Sequence, residues 1–177
     1  MNIIGNRIRL RDFTEDDFSF YNELEQNPIT HQYENSAPDD AEIQDDFQKA
    51  ISEVHDNPRE RYELAISLKD DGTPVGRISI KLNWSEIREW EIGWALHPDF
   101  WKNGYATEAV ELLISYAFSD LNAHRVVAYA NTENAASEKL MIRVGMKQDG
   151  VLREVRICKG KWCNEFIYSV LEQEWDK

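Results

Sequence analysis

A chain of 177 residues, 42% hydrophobic and 30% charged, has material for one well-filled core and too little for two, so a single domain over 1–177 is expected. Its formal net charge of −13 is uneven: residues 1–60 hold 15 acids against 5 Lys/Arg, whereas residues 101–165 hold 8 against 9. The acidic part argues against nucleic-acid binding, which needs a basic footprint, and would draw a cation, while the near-neutral part tolerates an anionic ligand. No apolar run approaches the roughly 18 residues of a membrane span, and the start lacks a signal-peptide core. A soluble cytoplasmic protein with no membrane contact is expected. Cys158 and Cys163 imply neither a disulfide framework nor, without a second Cys/His cluster nearby, a metal.

In chain order, RIRLRDF (7–13) alternates Ile8 and Leu10 with arginines, the pattern of a strand with one buried face. Thr14 then opens an acid-rich helix with Phe18, Tyr21 and Leu24 on one side, ended by Pro28. A second helix starts near Pro38 and aligns Ile43, Phe47, Ala50, Ile51 and Val54. The period changes after Pro58: residues 62–69 and 74–83 form a hairpin about KDDGT, and EWEIGWAL (89–96) is a further strand. ATEAVELLISYAFSDL (106–121) is a helix whose buried stripe is Ala109, Leu112, Leu113, Tyr116 and Ala117. HRVVAYAN (124–131) is a strand and residues 134–145 a helix stopped by Gly145. Residues 147–157 and 164–172 close the chain as a hairpin across KGKW. The order β, α, α, β, β, β, α, β, α, β, β points to a mixed α/β sheet.

Two strands of this series each end by feeding a helix, and neighbouring strand ends of that kind make a ligand crevice. In HPDFWKNGYATEA (97–109) an aromatic-basic-glycine turn precedes the third helix, 106–121. Gly104 permits close backbone approach, and the amides from Lys102 to Thr107 are placed to meet a pyrophosphate. Neither the P-loop pattern nor Gly-x-Gly-x-x-Gly is present.

The run EIGWALHPDFWKNGYATEA, followed by NTENAASEKLMIRVGM, resembles the GNAT superfamily of acyl-CoA-dependent N-acetyltransferases, nearest its ribosomal-protein-alanine N-acetyltransferase branch. The likeness spans nearly the whole chain and implies a GNAT fold, one layered domain with a mixed, mostly antiparallel twisted sheet flanked by helices. It implies that Trp101, Lys102, Asn103, Gly104, Tyr105, Ala106 and Thr107 hold the pyrophosphate of acetyl-CoA. It places Asn134 at the pantetheine arm, where the residue also suits a helix N-cap, and it makes Ser137 the donor of a proton to the departing thiolate. The backbone of Ala95, Leu96 and His97 would align the acetyl-pantetheine as an added strand and offer an amide to the oxyanion. The branch's closing hairpin commonly carries an acid where this chain has Asn164.

Attack on a thioester needs a neutral amine, so something must take its proton. Glu91 is the candidate base. Glu89 shares its face and would orient it or meet the substrate, and His97 is a rival. Among the tryptophans around this strand, Trp84 and Trp101 are expected to line the acceptor cleft, because Trp90 and Trp94 alternate away from Glu91. The expected activity is transfer of acetyl from acetyl-CoA to a primary amine, either a protein N-terminus or a small cationic amine, with no metal. A homodimer and a non-catalytic acyl-CoA-sensing module are left open.

Overall fold

Alternation decides what the sheet buries. Ile8 and Leu10 are fully buried while Arg7, Arg9 and Arg11 beside them are not, and the same rule sends Leu64 and Ile66 to one face of the sheet and Ala65 to the other. The computed structural model describes residues 1–176. Its strands are β1 (Asn2–Ile4), β2 (Ile8–Asp12), β3 (Arg61–Leu68), β4 (Pro74–Trp84), β5 (Glu89–Leu96), β6 (Arg125–Asn131), β7 (Lys147–Cys158) and β8 (Lys161–Leu171). Its helices are α1 (Phe18–Gln26), α2 (Asp40–Ser52), α3 (Tyr105–Ser119) and α4 (Ala135–Val144). All eight strands join in the order β1-β2-β3-β4-β5-β6-β8-β7, antiparallel except for β5 beside β6. That pair is parallel because α3 carries the chain back between them, the crossover that parallel strands require.

The helices divide between the two faces. Ala109, Val110, Leu113, Ile114 and Ala117 of α3, with Leu140, Met141 and Val144 of α4, fill the larger cluster with Ile78, Ile80, Ile92 and Val126. On the other face α1 and α2 enclose Ile43 and the rings of Phe13, Tyr21 and Phe47, which meet with centroids 5.1–5.8 Å apart. Burying the Phe47 side chain in full is worth about 1.5–3 kcal/mol. The expected stripe of α3 holds at Ala109, Leu113 and Ala117, while Leu112 and Tyr116 are only partly covered and Val110 and Ile114 take the rest.

Three local departures from the expected elements have physical causes. The edge strand Asn2–Ile4 is too short to show a period in sequence. Thr14 opens a short 3-10 turn before α1, because the Asp17 carboxylate accepts from both Thr14 N (2.8 Å) and Thr14 Oγ1 (3.0 Å) while Arg11 grips it at 2.6 and 2.7 Å. The closing hairpin turns on Lys159 and Gly160 alone, both at positive φ (49° and 75°), so β8 begins earlier than KGKW implied.

Candidate active site

The parallel pair is broken. Glu89, Trp90 and Glu91 pair with Arg125, Val126 and Val127, and beyond them the strands share no register although β5 runs on to Leu96 and β6 to Asn131. One edge of Ile92–Leu96 is thereby left facing a gap. On its other side β5 is held tightly: a Cβ on Gly76 of β4 would lie 2.4 Å from the Ala95 carbonyl oxygen, so only glycine lets β4 approach there. The gap opens into a cleft of about 620 Å³, walled by Trp94–Leu96, the turn into α3 and the first turns of α4.

Backbone conformation shapes that turn. The ladder ends where His97 N donates to Val75 O at 3.0 Å. Lys102 (φ 64°) and Gly104 (φ 79°) are both left-handed, and Gly104 is the N-cap of α3. The first helical bond runs from Glu108 N to Gly104 O at 3.2 Å, so the amides of Tyr105, Ala106 and Thr107 have no acceptor within the helix. Arg7, at the start of β2, braces the outside of the turn. Its Nη1 donates to Asn103 O at 2.7 Å, its Nε to Glu108 Oε2 at 2.9 Å, and its guanidinium lies 5.2 Å from the Tyr105 ring centroid. Burial alone would raise the Glu108 carboxyl, but the bonds from Arg7 and Ile8 hold it below the usual range. Lys102, Lys139 and Arg143 add positive charge to the cleft walls.

A smaller basin of about 200 Å³ adjoins the cleft. Thr30, Tyr33, Trp94, Asn134 and Ser137 line both, and so mark where the two spaces meet. Asn134 Oδ1 accepts from Ser137 N at 3.1 Å, which is the N-cap the sequence suggested, and leaves the amide nitrogen of Asn134 uncommitted by that bond. Thr30 Oγ1 is buried with no hydrogen-bond partner among the described residues. An orphaned hydroxyl at such a junction is open to a hydrogen bond from a ligand or a water. The far wall of the basin carries Glu34, Tyr129, Asn131, Arg156 and Glu165. Burial pushes the Glu165 carboxyl up; Arg156 opposes this, and the nearby charges of Glu34 and Glu91 add to it. Burial also raises the Tyr129 phenol, with Glu89, Glu91 and Glu165 contributing.

Of the residues singled out in sequence, Ala95, Leu96, Trp101, Lys102, Gly104–Thr107, Asn134 and Ser137 line the cleft. Trp101 is fixed there by its Nε1, which donates to Leu96 O at 2.8 Å. Asn103 is inside the turn, its amide bonded to Phe100 O and Trp101 O at 3.2 and 3.3 Å. The His97 side chain turns away, against the rings of Phe20 and Phe100, with Nδ1 accepting from Asp99 N at 3.4 Å. Glu89 is buried and fully engaged, by Asn83 Nδ2 and by Arg125 Nε at 2.6 Å each, so it offers a substrate no free oxygen without first losing one of these. Trp84 lies half-exposed at the far end of β4 and lines neither space. Trp94 takes the place expected of it. It does alternate away from Glu91, but the broken pairing opens that face too. Glu91 stands outside the basin wall, with Oε2 3.2 Å from Lys81 Nζ.

Several basin residues escaped sequence reasoning. Thr30, Tyr33 and Glu34 belong to the irregular loop between α1 and α2, where no period signals orientation. Asn164 drew attention as a missing acid, yet the acid that lines the basin is its neighbour Glu165. Asn164 is instead structural, its Oδ1 accepting from Glu154 N at 2.8 Å and its carbonyl from Thr132 N at 3.1 Å.

A parted parallel pair, free amides at a helix start and a second basin opening on the same junction define a two-substrate group-transfer enzyme. Residues 7–147 match the Acetyltransferase (GNAT) domain family, and the chain belongs to it. The uncharacterized N-acetyltransferase YnaD of Bacillus subtilis (strain 168) is 26% identical over 176 residues, covering 99% of this chain and 100% of that one. The spermidine N-acetyltransferase from Vibrio cholerae, solved in complex with CoA and spermine, superposes with a TM-score of 0.84 at 19% identity, over 96% of this chain and 98% of that one. The ribosomal-protein-S5-alanine acetyltransferase from Vibrio fischeri gives 0.84 at 17%, over the full length of both. At those identities the structural likeness speaks for the fold. The activity is that of an N-acetyltransferase of the GNAT type. No helix among the described residues is long and apolar enough to cross a membrane.

Proposed function

We propose that residues 1–177 act as one acetyltransferase domain in which acetyl-CoA occupies the larger cleft and a primary amine bearing positive charge enters the basin. The observation that carries this reading is the junction at Thr30, Tyr33, Trp94, Asn134 and Ser137, the one place where a donor and an acceptor in those two spaces meet. The residues fit the donor. Free amides of Tyr105–Thr107 and the charges of Lys102, Lys139 and Arg143 suit its phosphates, and the open edge around Ala95 suits an extended arm laid down as a strand. Acetyl-CoA supplies a thioester-activated acetyl group.

The protein's own contribution is mainly placement. An amide on the β5 edge donates to the carbonyl oxygen as negative charge grows on it. Glu91 takes the proton of the attacking amine through water, and Ser137 returns one to the sulfur. A second reading gives the proton to Glu165, favoured because it lines the basin and Glu91 does not. The acceptor is either a protein N-terminal α-amine or a small cationic amine. Both kinds occur among proteins of this fold, and the two carboxylates lining the basin, Glu34 and Glu165, with Glu91 close outside it, favour a cation. The test is thiol release from acetyl-CoA against a panel of peptides and amines, with products identified by intact mass. Acetyl-CoA binding without thiol release for any amine would make the protein a sensor.

A further inference from the structure

Arg156 is the one cation lining the acceptor basin among the described residues, and it is clamped between two acids. Its Nη1 lies 3.3 and 3.1 Å from the two carboxylate oxygens of Glu34, and its Nε lies 3.0 Å from Glu165 Oε1. A single guanidinium therefore spans from the α1–α2 loop to β8 beside the junction where the amine must react. It does not meet the demand for positive charge there. Glu165 stays above its usual range beside Arg156, through burial and the repulsion of Glu34 and Glu91.

The support beneath Arg156 lets it move. It sits on β7, the outermost strand, and the β7–β8 register shifts between Leu152 and Arg156 with Glu154 at φ 51°. The side chain is 43% exposed. The α1–α2 loop does not depend on it alone: Lys159 N donates to Glu34 O at 3.3 Å and Gly160 N to Asn35 Oδ1 at 3.1 Å. Arg156 can swing outward while the loop and Glu34 stay in place.

We propose that Arg156 is a resident surrogate for a second cationic group of the acceptor, which displaces it and takes the seat between Glu34 and Glu165. The inference rests on the basin being the acceptor site, and it narrows the acceptor to aliphatic diamines and polyamines: one ammonium held by the two acids, the other amine delivered neutral to the junction. An acceptor with a carboxylate is disfavoured because it would bring a further negative charge to a basin whose acids already exceed its cation. Arg156 then determines specificity among reactive complexes, since a monoamine that delivers its only nitrogen neutral to the junction has no second cation with which to evict it.

Calorimetry on the CoA-saturated protein tests this with the four-carbon diamine, butylamine and the four-carbon ω-amino acid. Arg156→Gln should bind the diamine at least about tenfold more tightly, or ~1.4 kcal/mol. For butylamine, whose only nitrogen must stand neutral at the junction to react, the kcat/KM for thiol release should stay within about twofold of the parent, a few tenths of a kcal/mol. Adding Glu34→Gln should cancel the gain. Arg156→Lys, which keeps the charge and loses the fork, should fall between parent and Arg156→Gln and serves should the glutamine variant fold poorly. Diamine affinity that is unchanged or weaker in both variants overturns the proposal. So does an equal gain for butylamine, which would mean that only space was opened, or a loss confined to the amino acid, which would make Arg156 an anion receptor. Thiol release run in parallel separates the two readings. Tighter diamine binding without acetylation removes the transferase reading and leaves the displaced-cation seat, whereas acetylation of amines without the affinity change removes the seat alone.

Discussion

Replacing Gly104 with alanine tests how the donor cradle is held. Gly104 sits at φ 79°, where a side chain costs about 1–2 kcal/mol. Its new Cβ would lie 3.2 Å from Arg7 Nη2, so the guanidinium must give by a few tenths of an ångström and strain its bond to Asn103 O, a half-exposed hydrogen bond worth at most about 0.5–1 kcal/mol. The sum is about 2 kcal/mol, which for a chain of this length lowers Tm by about 4–8 °C. Because the strained residue caps α3, part of that cost falls on the amides that follow it, and the acetyl-CoA Kd should rise about tenfold. Valine, larger and branched, should do more. In an Arg7→Ala background the alanine should cost only its backbone term, leaving a coupling of at most about 0.5–1 kcal/mol in a double-mutant cycle. Thermal unfolding and calorimetry read both quantities. A Gly104→Ala variant with parental Tm and Kd would refute the reasoning.

Glu91→Gln should lower kcat/KM about 10²-fold at neutral pH, with the loss shrinking at high pH where the acceptor is already neutral. Ser137→Ala should be milder, because a thiol with a pKa near 8.5 leaves passably without help. pH–rate profiles of both variants and of Glu165→Gln decide which carboxylate is the base: full activity in Glu91→Gln with loss in Glu165→Gln moves the role to Glu165. For Asp17, burial raises the carboxyl but the bonds from Arg11 and Thr14 outweigh it, so its folded pKa lies below its unfolded one. Its contribution is present above the unfolded value of about 3.9 and fades as pH falls through the folded one, so Asp17→Asn should flatten the acid limb of stability seen by denaturant unfolding. The acceptor KM should climb with ionic strength more steeply than that of acetyl-CoA; a salt-independent acceptor KM would leave the −10 charge of residues 1–60 with no part in recruitment.

Elements with a long, regular period were legible in the sequence, and so was the turn into α3 that walls the larger cleft. Ile8 and Leu10, the α2 face of Ile43, Phe47 and Ala50, and Gly145 at the end of α4 lie where periodicity and capping put them. The turn from Trp101 to Thr107 is contiguous, so one segment announces it. The acceptor basin is assembled otherwise. Glu34 and Arg156 meet across 122 positions, and the orientation of Arg156 follows a register shift that no alternation rule anticipates. Trp94 was misjudged for a related reason: strand parity tells which face a residue takes, and a face is closed only where the neighbouring strand is paired. Glu89 and Trp84 carried the right residue types for a site, but Arg125 and the far end of β4 claimed them.

The three-residue pairing between β5 and β6 gives the sheet a seam, and the seam makes the donor a structural strut as well as a reactant. An arm lying along Ile92–Leu96 would occupy the position that a continuous β6 vacates, so occupancy of the cleft joins the two halves of the sheet. Folding and donor supply are then linked by mass action: at 100 times Kd the loaded form gains about 2.7 kcal/mol over the empty one. Residues 92–96 remain paired with β4 and residues 128–131 with β8, so only their amides that face the gap should gain protection from hydrogen exchange when the donor binds. A cell short of acetyl-CoA would hold this enzyme in a form that is both idle and looser at its centre.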